Sequence, residues 1–452
     1  MSTTPPDKLA AARPRFRRDR LVLGLLSAAL AGLVVHHTLT LPMPRNLVVA
    51  APRQTRVSGD ASMSLEKTLL ERFAREHGVN LTFVFTDTPE DALDMVEHGR
   101  AQVGLALGVA PEDMNARELK ASNKASKIAF GPEYDRQPIY AIDWNEGYDP
   151  PEETTGALNE LLRIAASFST SPRQAPALPL DALHLLLPFV DQVRDTAPTR
   201  HVASYRFVWR TDVPHLNKAM HGFWDKVMAD GSLPALRERT LGFLPLDPDP
   251  FEMEILRRTL ASDVPPLHKT IERAARKWHL DPYLLTAVIH QESHFKPEAV
   301  SATGVRGIMQ MTGDTLTELG VQNPDDSREV IFAGARYLDM LRGQFVELGY
   351  GAEDAMLLAL ASFNVGQGHV QDAIDLLRGN RADLPSWLSV REALPRLEHL
   401  SVAQQTRYGL CRGTEAVDFV DKVRYFTYAI RGLVLAGAQR DELAGLRLAL
   451  AD

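Results

Sequence analysis

The chain has 452 residues, enough for two or three domains with cores of their own. It is 45% hydrophobic and 24% charged, an ordinary globular balance, and its formal net charge of -8 argues against a general nucleic-acid binder. A single cysteine, Cys411, excludes an internal disulfide and reads as a small core residue.

Residues 1–20 are polar and basic, with Arg13, Arg15, Arg17, Arg18 and Arg20; no further charge occurs before Arg45, and Leu21 to Val35 is strongly apolar. Arginines ahead of an apolar run keep the N-terminus in the cytoplasm and send the rest across the membrane. Two fates fit: an uncleaved anchor over residues 21–41, or a signal peptide cut near Ala29-Leu30-Ala31. Either way the bulk of the chain is expected outside the cytoplasm. No lipid attachment to an N-terminal cysteine is expected.

From Asn46 strands and helices alternate. NLVVAAP, VNLTFVFT and AQVGLALG read as strands, and SLEKTLLERFAREHG and TPEDALDMVEHG as the helices between them. This order predicts a mostly parallel, covered sheet. The run resembles the first lobe of an amino-acid-type extracellular solute-binding domain. Residues 138–205 are rich in proline, serine and threonine and look short for a second lobe. A helix over Leu216 to Asp230 restores the pattern. LPLDPDP at 244–250 punctuates any element and predicts a boundary, so that residues 46–245 form one domain and 251–452 another, the latter folding alone. Beyond it, successive helical stretches run to the C-terminal region.

The most informative stretch is residues 281–311. Asp281 is a helix N-cap and Pro282 suits the first helical position. Leu284, Leu285, Val288 and Ile289 recur at helical spacing, and Glu292 falls on the same stripe one turn after Val288. Burial resists ionisation of a carboxyl, the condition of a general acid near neutral pH. His290 and His294 stand four apart, as in a zinc-peptidase pair, but in that motif the glutamate directly follows the first histidine. Here Glu292 lies two residues on, about 200° around. The two histidines are therefore expected on the surface, with no metal.

After Glu292 comes E-S-x-F-x-P-x-A-x-S-x-x-G-x-x-G-I-M-Q, ending at Gln310. This resembles the signature of the soluble-type lytic transglycosylase domain, related to goose-type lysozyme. Ala361-Ser362-Phe363-Asn364-Val365-Gly366 resembles the family's A-Y-N-x-G segment, and Glu415 to Val420 its E-x-x-x-Y-V segment, each with phenylalanine for tyrosine (Phe363 and Phe419). FNVGQGHVQDAIDLL, PSWLSVREALPRL and YGLCRGTEAVDFV, with the preceding module, resemble the membrane-bound lytic murein transglycosylase F family. The resemblance implies a multidomain chain: an α/β periplasmic-binding-protein-like module with a degenerate second lobe, followed by a mainly α lysozyme-like domain. It implies a cell-envelope enzyme held at the inner membrane by a signal anchor, or at the inner leaflet of the outer membrane.

The implied substrate is the glycan strand of peptidoglycan, with muropeptides as candidate ligands of the N-terminal module. Glu292 is the implied catalytic residue, and Ser301, Met309, Gln310, Asn364 and Tyr425 the implied substrate-binding residues. Most glycosidases use two carboxylates; Glu298 and Asp314, the nearest others in sequence, match no catalytic position of the family. The resemblance implies that Glu292 protonates the glycosidic oxygen and then takes the carbon-6 proton of the muramyl residue. Ring closure to a 1,6-anhydro end then needs neither metal nor organic cofactor. A hydrolytic muramidase and a non-catalytic cell-wall sensor are the alternatives.

Overall fold

The computed structural model describes residues 42–52, 65–86, 88–109, 127–144, 177–189, 193–245, 249–301, 304–378 and 383–439. The apolar run at 21–41 and residues 246–248 of the boundary at 244–250 lie outside the described residues. Among those described, no helix is long and apolar enough to cross a membrane.

The N-terminal module is built on strands β1 (Asn46–Pro52), β2 (Asn80–Thr86), β3 (Val103–Val109), β4 (Ile128–Phe130), β5 (Asp135–Trp144), β6 (Ala177–Pro179) and β7 (Val193–Arg210). Helices α1 (Leu65–His77) and α2 (Pro89–Glu97) connect the first three strands. The elements expected up to β3 are all present. β1 pairs in parallel with β2 and with β3, as alternation with helices requires.

The expectation of a mostly parallel sheet is corrected by β7. Its 18 residues run antiparallel to β3, β4 and β5, and β5 pairs antiparallel with β6. The sheet is mixed, in the order β2-β1-β3-β7-β5-β6. Two sequence-distant strands meet directly in β5 and β7, and no local periodicity announces that pairing. Helices α3 (Leu180–Leu186), α4 (Leu216–Ala229) and α5 (Ser232–Leu241) complete the module.

Two apolar cores flank the sheet near β1. Phe73, Tyr205, Phe207, Trp209, Phe223 and Trp224 fill one, and Ala92, Leu93, Val96 and Val208 the other. The third core ignores the boundary read from sequence. Ile142, Leu178, Leu183, Leu187 and Phe243 of the module are continuous with Val288, Phe345, Leu358 and Phe426 of the helical region. The reduced second half of the module is thus packed into the C-terminal domain.

That domain comprises α6 (Pro250–Ser262), α7 (His268–Lys277), α8 (Pro282–Ser293), α9 (Gly313–Glu318), α10 (Ser327–Glu347), α11 (Ala352–Val365), α12 (Gln367–Arg378), α13 (Trp387–Ala393), α14 (Leu400–Ala403) and the long α15 (Gly413–Gln439). Polar contacts join it to the module. Tyr425 and Tyr428 of α15 donate their hydroxyls to the carbonyls of His184 and Leu185, each at 2.8 Å. Glu238 of α5, nearly buried, accepts from Trp387 Nε1 at 3.1 Å, Arg391 at 3.2 Å and Arg424 at 2.8 Å. Arg391 also bonds Asp421. A buried carboxylate needs such partners.

Candidate active site

Helix α8 starts as the sequence dictates. The Asp281 carboxylate accepts from the Tyr283 N–H at 2.8 Å, Pro282 occupies the first turn, and Asp281 also pairs with Arg431 of α15. The helix is not one-sided, however. Leu285, Thr286, Ala287, Val288, Ile289, His290 and Ser293 are all buried. α8 runs through the domain with neighbours on every face, and Glu292 sits where it emerges. His294 and Phe295, both left-handed at φ 50° and 63°, end the helix sharply. Two consecutive non-glycine residues at positive φ are a strained exit. Buried packing of Phe295 helps to hold it.

The chain then folds back on α8. The Ser293 hydroxyl, buried, donates to the Ile308 carbonyl at 2.7 Å, tying the helix end to the Gly-Ile-Met-Gln turn. Gly307, at φ 106°, permits that turn. Gln310, itself left-handed, donates through Nε2 to the carbonyls of Ala299 and Gly307 at 3.0 and 2.7 Å. Ser301 accepts from the Val305 N–H at 3.0 Å, and Val300 bridges Arg306. Ser301 and Gln310 therefore build the loop beside Glu292, a role the sequence reading assigned to sugar recognition.

Glu292 is half-buried. Burial pushes its carboxyl up to about 8, and the negative charge of Glu415 pushes in the same direction. Glu415 lies in the first turn of α15 and pairs with Arg412 at 2.8 Å. The carboxylate that acts on Glu292 thus comes from more than a hundred residues downstream. Sequence reasoning looked instead to Glu298 and Asp314, since proximity in the chain was its only guide. The E-x-x-x-F-V segment that begins at Glu415 was the available signal.

The remaining expected residues separate. Asn364 lies at the end of α11, half-exposed. Phe363 beside it stacks on Phe419, ring centroids 6.4 Å apart, and Tyr337 approaches Phe363 at 5.6 Å. Met309 is corrected: fully buried, its sulfur occupies the space a side chain at Gly334 of α10 would need. It is a packing residue rather than a sugar contact. Tyr425 is corrected likewise: it is 4% exposed, with its hydroxyl given to the module. The two histidines also depart from expectation, because α8 is enclosed: His290 is fully buried, and only His294 reaches the surface.

Residues 269–383 match the family model described as the Transglycosylase SLT domain. A protein of Alkalilimnicola ehrlichii named membrane-bound lytic murein transglycosylase F 1 is 35% identical over 52% of this chain and 47% of its own length. One of Thiobacillus denitrificans, named membrane-bound lytic murein transglycosylase F, is 27% identical over 81% of this chain and 83% of its own length. The chain spans about half the length of the first of these relatives. Among solved structures, the substrate binding protein of an amino acid ABC transporter covers 44% of the chain at 9% identity (TM-score 0.31; 99% of that protein). An inactive mutant of lytic transglycosylase Slt from Pseudomonas aeruginosa covers 48% at 18% identity (TM-score 0.28; 35% of that protein). Such scores bear no weight alone. By its matched domain at residues 269–383 and its likeness over most of its length, the chain carries a transglycosylase SLT domain and resembles the membrane-bound lytic murein transglycosylase F family.

Proposed function

We propose that the chain is a peptidoglycan lytic transglycosylase of the cell envelope, cleaving the bond between N-acetylmuramic acid and N-acetylglucosamine. The observation that carries this reading is Glu292, at the end of α8 within the SLT domain, its carboxyl pushed up to about 8 by burial. A carboxyl still protonated at neutral pH can donate to the glycosidic oxygen. The bond to the muramyl anomeric carbon then breaks, and positive charge develops on the ring. The Glu292 carboxylate left behind takes the proton of the muramyl carbon-6 hydroxyl. That oxygen closes on the anomeric carbon to form the 1,6-anhydro end, and Glu292 is again protonated. Atoms balance without water or cofactor, and the intramolecular attack gains from a high effective concentration.

The loop of Ser301, Gly307 and Gln310 and the half-exposed Asn364 are the proposed walls of the sugar groove. Muropeptides remain the proposed ligands of the N-terminal module, and residues 21–41 the proposed membrane anchor. Glu415 favours one second reading, because another carboxylate acting on Glu292 is what a hydrolytic muramidase uses. Mass spectrometry of muropeptides released from sacculi distinguishes the two. Anhydro ends are expected; water-derived reducing ends would establish the hydrolase.

A further inference from the structure

His290 sits on the face of α8 away from Glu292, two residues and about 200° around the helix. It is 0% exposed, and neither ring nitrogen has a hydrogen-bond partner. The edge of its ring contact with Phe426 closes one side, at 4.8 Å between centroids. An imidazole so enclosed is uncommon, since buried polar groups are almost always paired. Two metal-binding groups stand beside it. His294, one turn on, lies 4.7 Å away between ring centroids. Glu252, from the first turn of α6, brings its Oε1 to 3.9 Å from His290 Nε2 and 3.6 Å from His294 Nε2. One ligand atom from each of the three lies within 4.8 Å of the others.

We propose that Glu252, His290 and His294 bind a divalent transition-metal ion of the zinc class, clamping α6 to the back of the catalytic helix. Zinc takes imidazole nitrogen and carboxylate oxygen at about 2.0–2.2 Å, which places neighbouring ligand atoms of a tetrahedron roughly 3.4 Å apart. The two Glu252 separations, 3.9 and 3.6 Å, need contract by only a few tenths of an ångström, while the set of three, within 4.8 Å of one another, must close by up to about 1.4 Å on its widest edge. His294 and Glu252 are partly exposed, so an ion has an entry path and water can complete the fourth position. The Lys422 ammonium also faces Glu252 and competes for its charge. The ion has a structural role in this arrangement: no glutamate follows His290 directly, as a zinc peptidase requires. The proposal stands independently of the glycosidic chemistry on the other face.

The test uses the full chain in detergent, stripped with chelator and titrated with Co2+ alone, then with Zn2+ as competitor. One Co2+ per chain is expected, with the intense visible bands of four-coordinate cobalt, displaced by Zn2+. Glu252→Gln and His294→Asn should each weaken binding by at least about ten-fold. Equal binding by wild type and both variants would overturn the site, as would the lack of a stoichiometric four-coordinate spectrum. Zinc-edge X-ray absorption of the wild type checks the ligands without any variant. Two imidazoles with oxygen neighbours are expected, and any other number of imidazoles contradicts the assignment.

Discussion

Phe363 of α11 and Phe419 of α15 stack with centroids 6.4 Å apart and planes 12° from parallel. The two positions at which the sequence departs from the family's tyrosines are therefore one contact. An apolar pair stands where the resemblance implies two tyrosines. Phe419 is 4% exposed, so Phe419→Tyr would place a hydroxyl in the core. A destabilisation of about 1–3 kcal/mol is expected in denaturant unfolding. Phe363 is half-exposed, and Phe363→Tyr should lie within about 0.5 kcal/mol of wild type. Equal effects at both sites would count against the packing described.

The continuous core predicts that residues 251–452 alone fold poorly, contrary to the boundary read from the prolines. Removing the module would expose apolar surface now covered by Leu183 and Leu187, take the Glu238, His184 and Leu185 acceptors from Trp387, Tyr425 and Tyr428, and leave Arg391 and Arg424 with Asp421 but not Glu238. In the intact chain, Tyr425→Phe should cost roughly 1–3 kcal/mol, because the His184 carbonyl loses its donor. A stable, monomeric 251–452 fragment with a sharp thermal transition would refute the shared core.

Ser293→Ala removes the bond between the end of α8 and the Ile308 carbonyl. A loss of about 1–2 kcal/mol is expected. The larger effect should fall on turnover, since the turn at Gly307 to Gln310 is no longer fastened to the residue next to Glu292. Turnover on sacculi falling by less than two-fold would show that the tether is not needed for positioning.

The Glu292 carboxyl, held near 8 by burial and by Glu415, predicts two pH effects. Activity needs the proton, so the rate should fall on the alkaline side near pH 8. Glu415→Gln removes a negative charge, favours ionisation of Glu292, and should move that limb to lower pH. For stability the sign is opposite to that of a salt-bridged acid. Between the unfolded value near 4.5 and about 8, the native state holds the proton more tightly, so stability declines as pH rises through this window. Glu292→Gln escapes that decline and should be more stable than wild type at pH 7, by roughly 1–3 kcal/mol. Calorimetry from pH 5 to 8 checks it; a gap that does not widen with pH would contradict the assignment.

Much of this was legible in the sequence because it is local. Asp281-Pro282 announced α8, alternating patterns announced β1 to β3, and the spacing from Glu292 to Gln310 marked the loop. What was hidden depends on long-range contact. β7 reverses the sheet by pairing with β5, and Glu252 of α6 comes within 3.9 Å of His290 across 38 residues of sequence. Tyr425 and Met309 have the chemistry of ligand contacts, yet tertiary packing buries both. A polar or sulfur-bearing side chain in a helix does not reveal which neighbour it meets.

The most direct test of the central claim is Glu292→Gln on purified sacculi, with released muropeptides read by mass spectrometry. The amide preserves size but carries no transferable proton, and general acid–base help is worth roughly 10²–10⁴-fold. The expected result is a folded protein that still binds sacculi and releases no anhydromuropeptides above background, while Glu298→Gln and Asp314→Asn retain most activity. Near-normal release of anhydromuropeptides by Glu292→Gln would contradict the assignment of Glu292 as the acid and base.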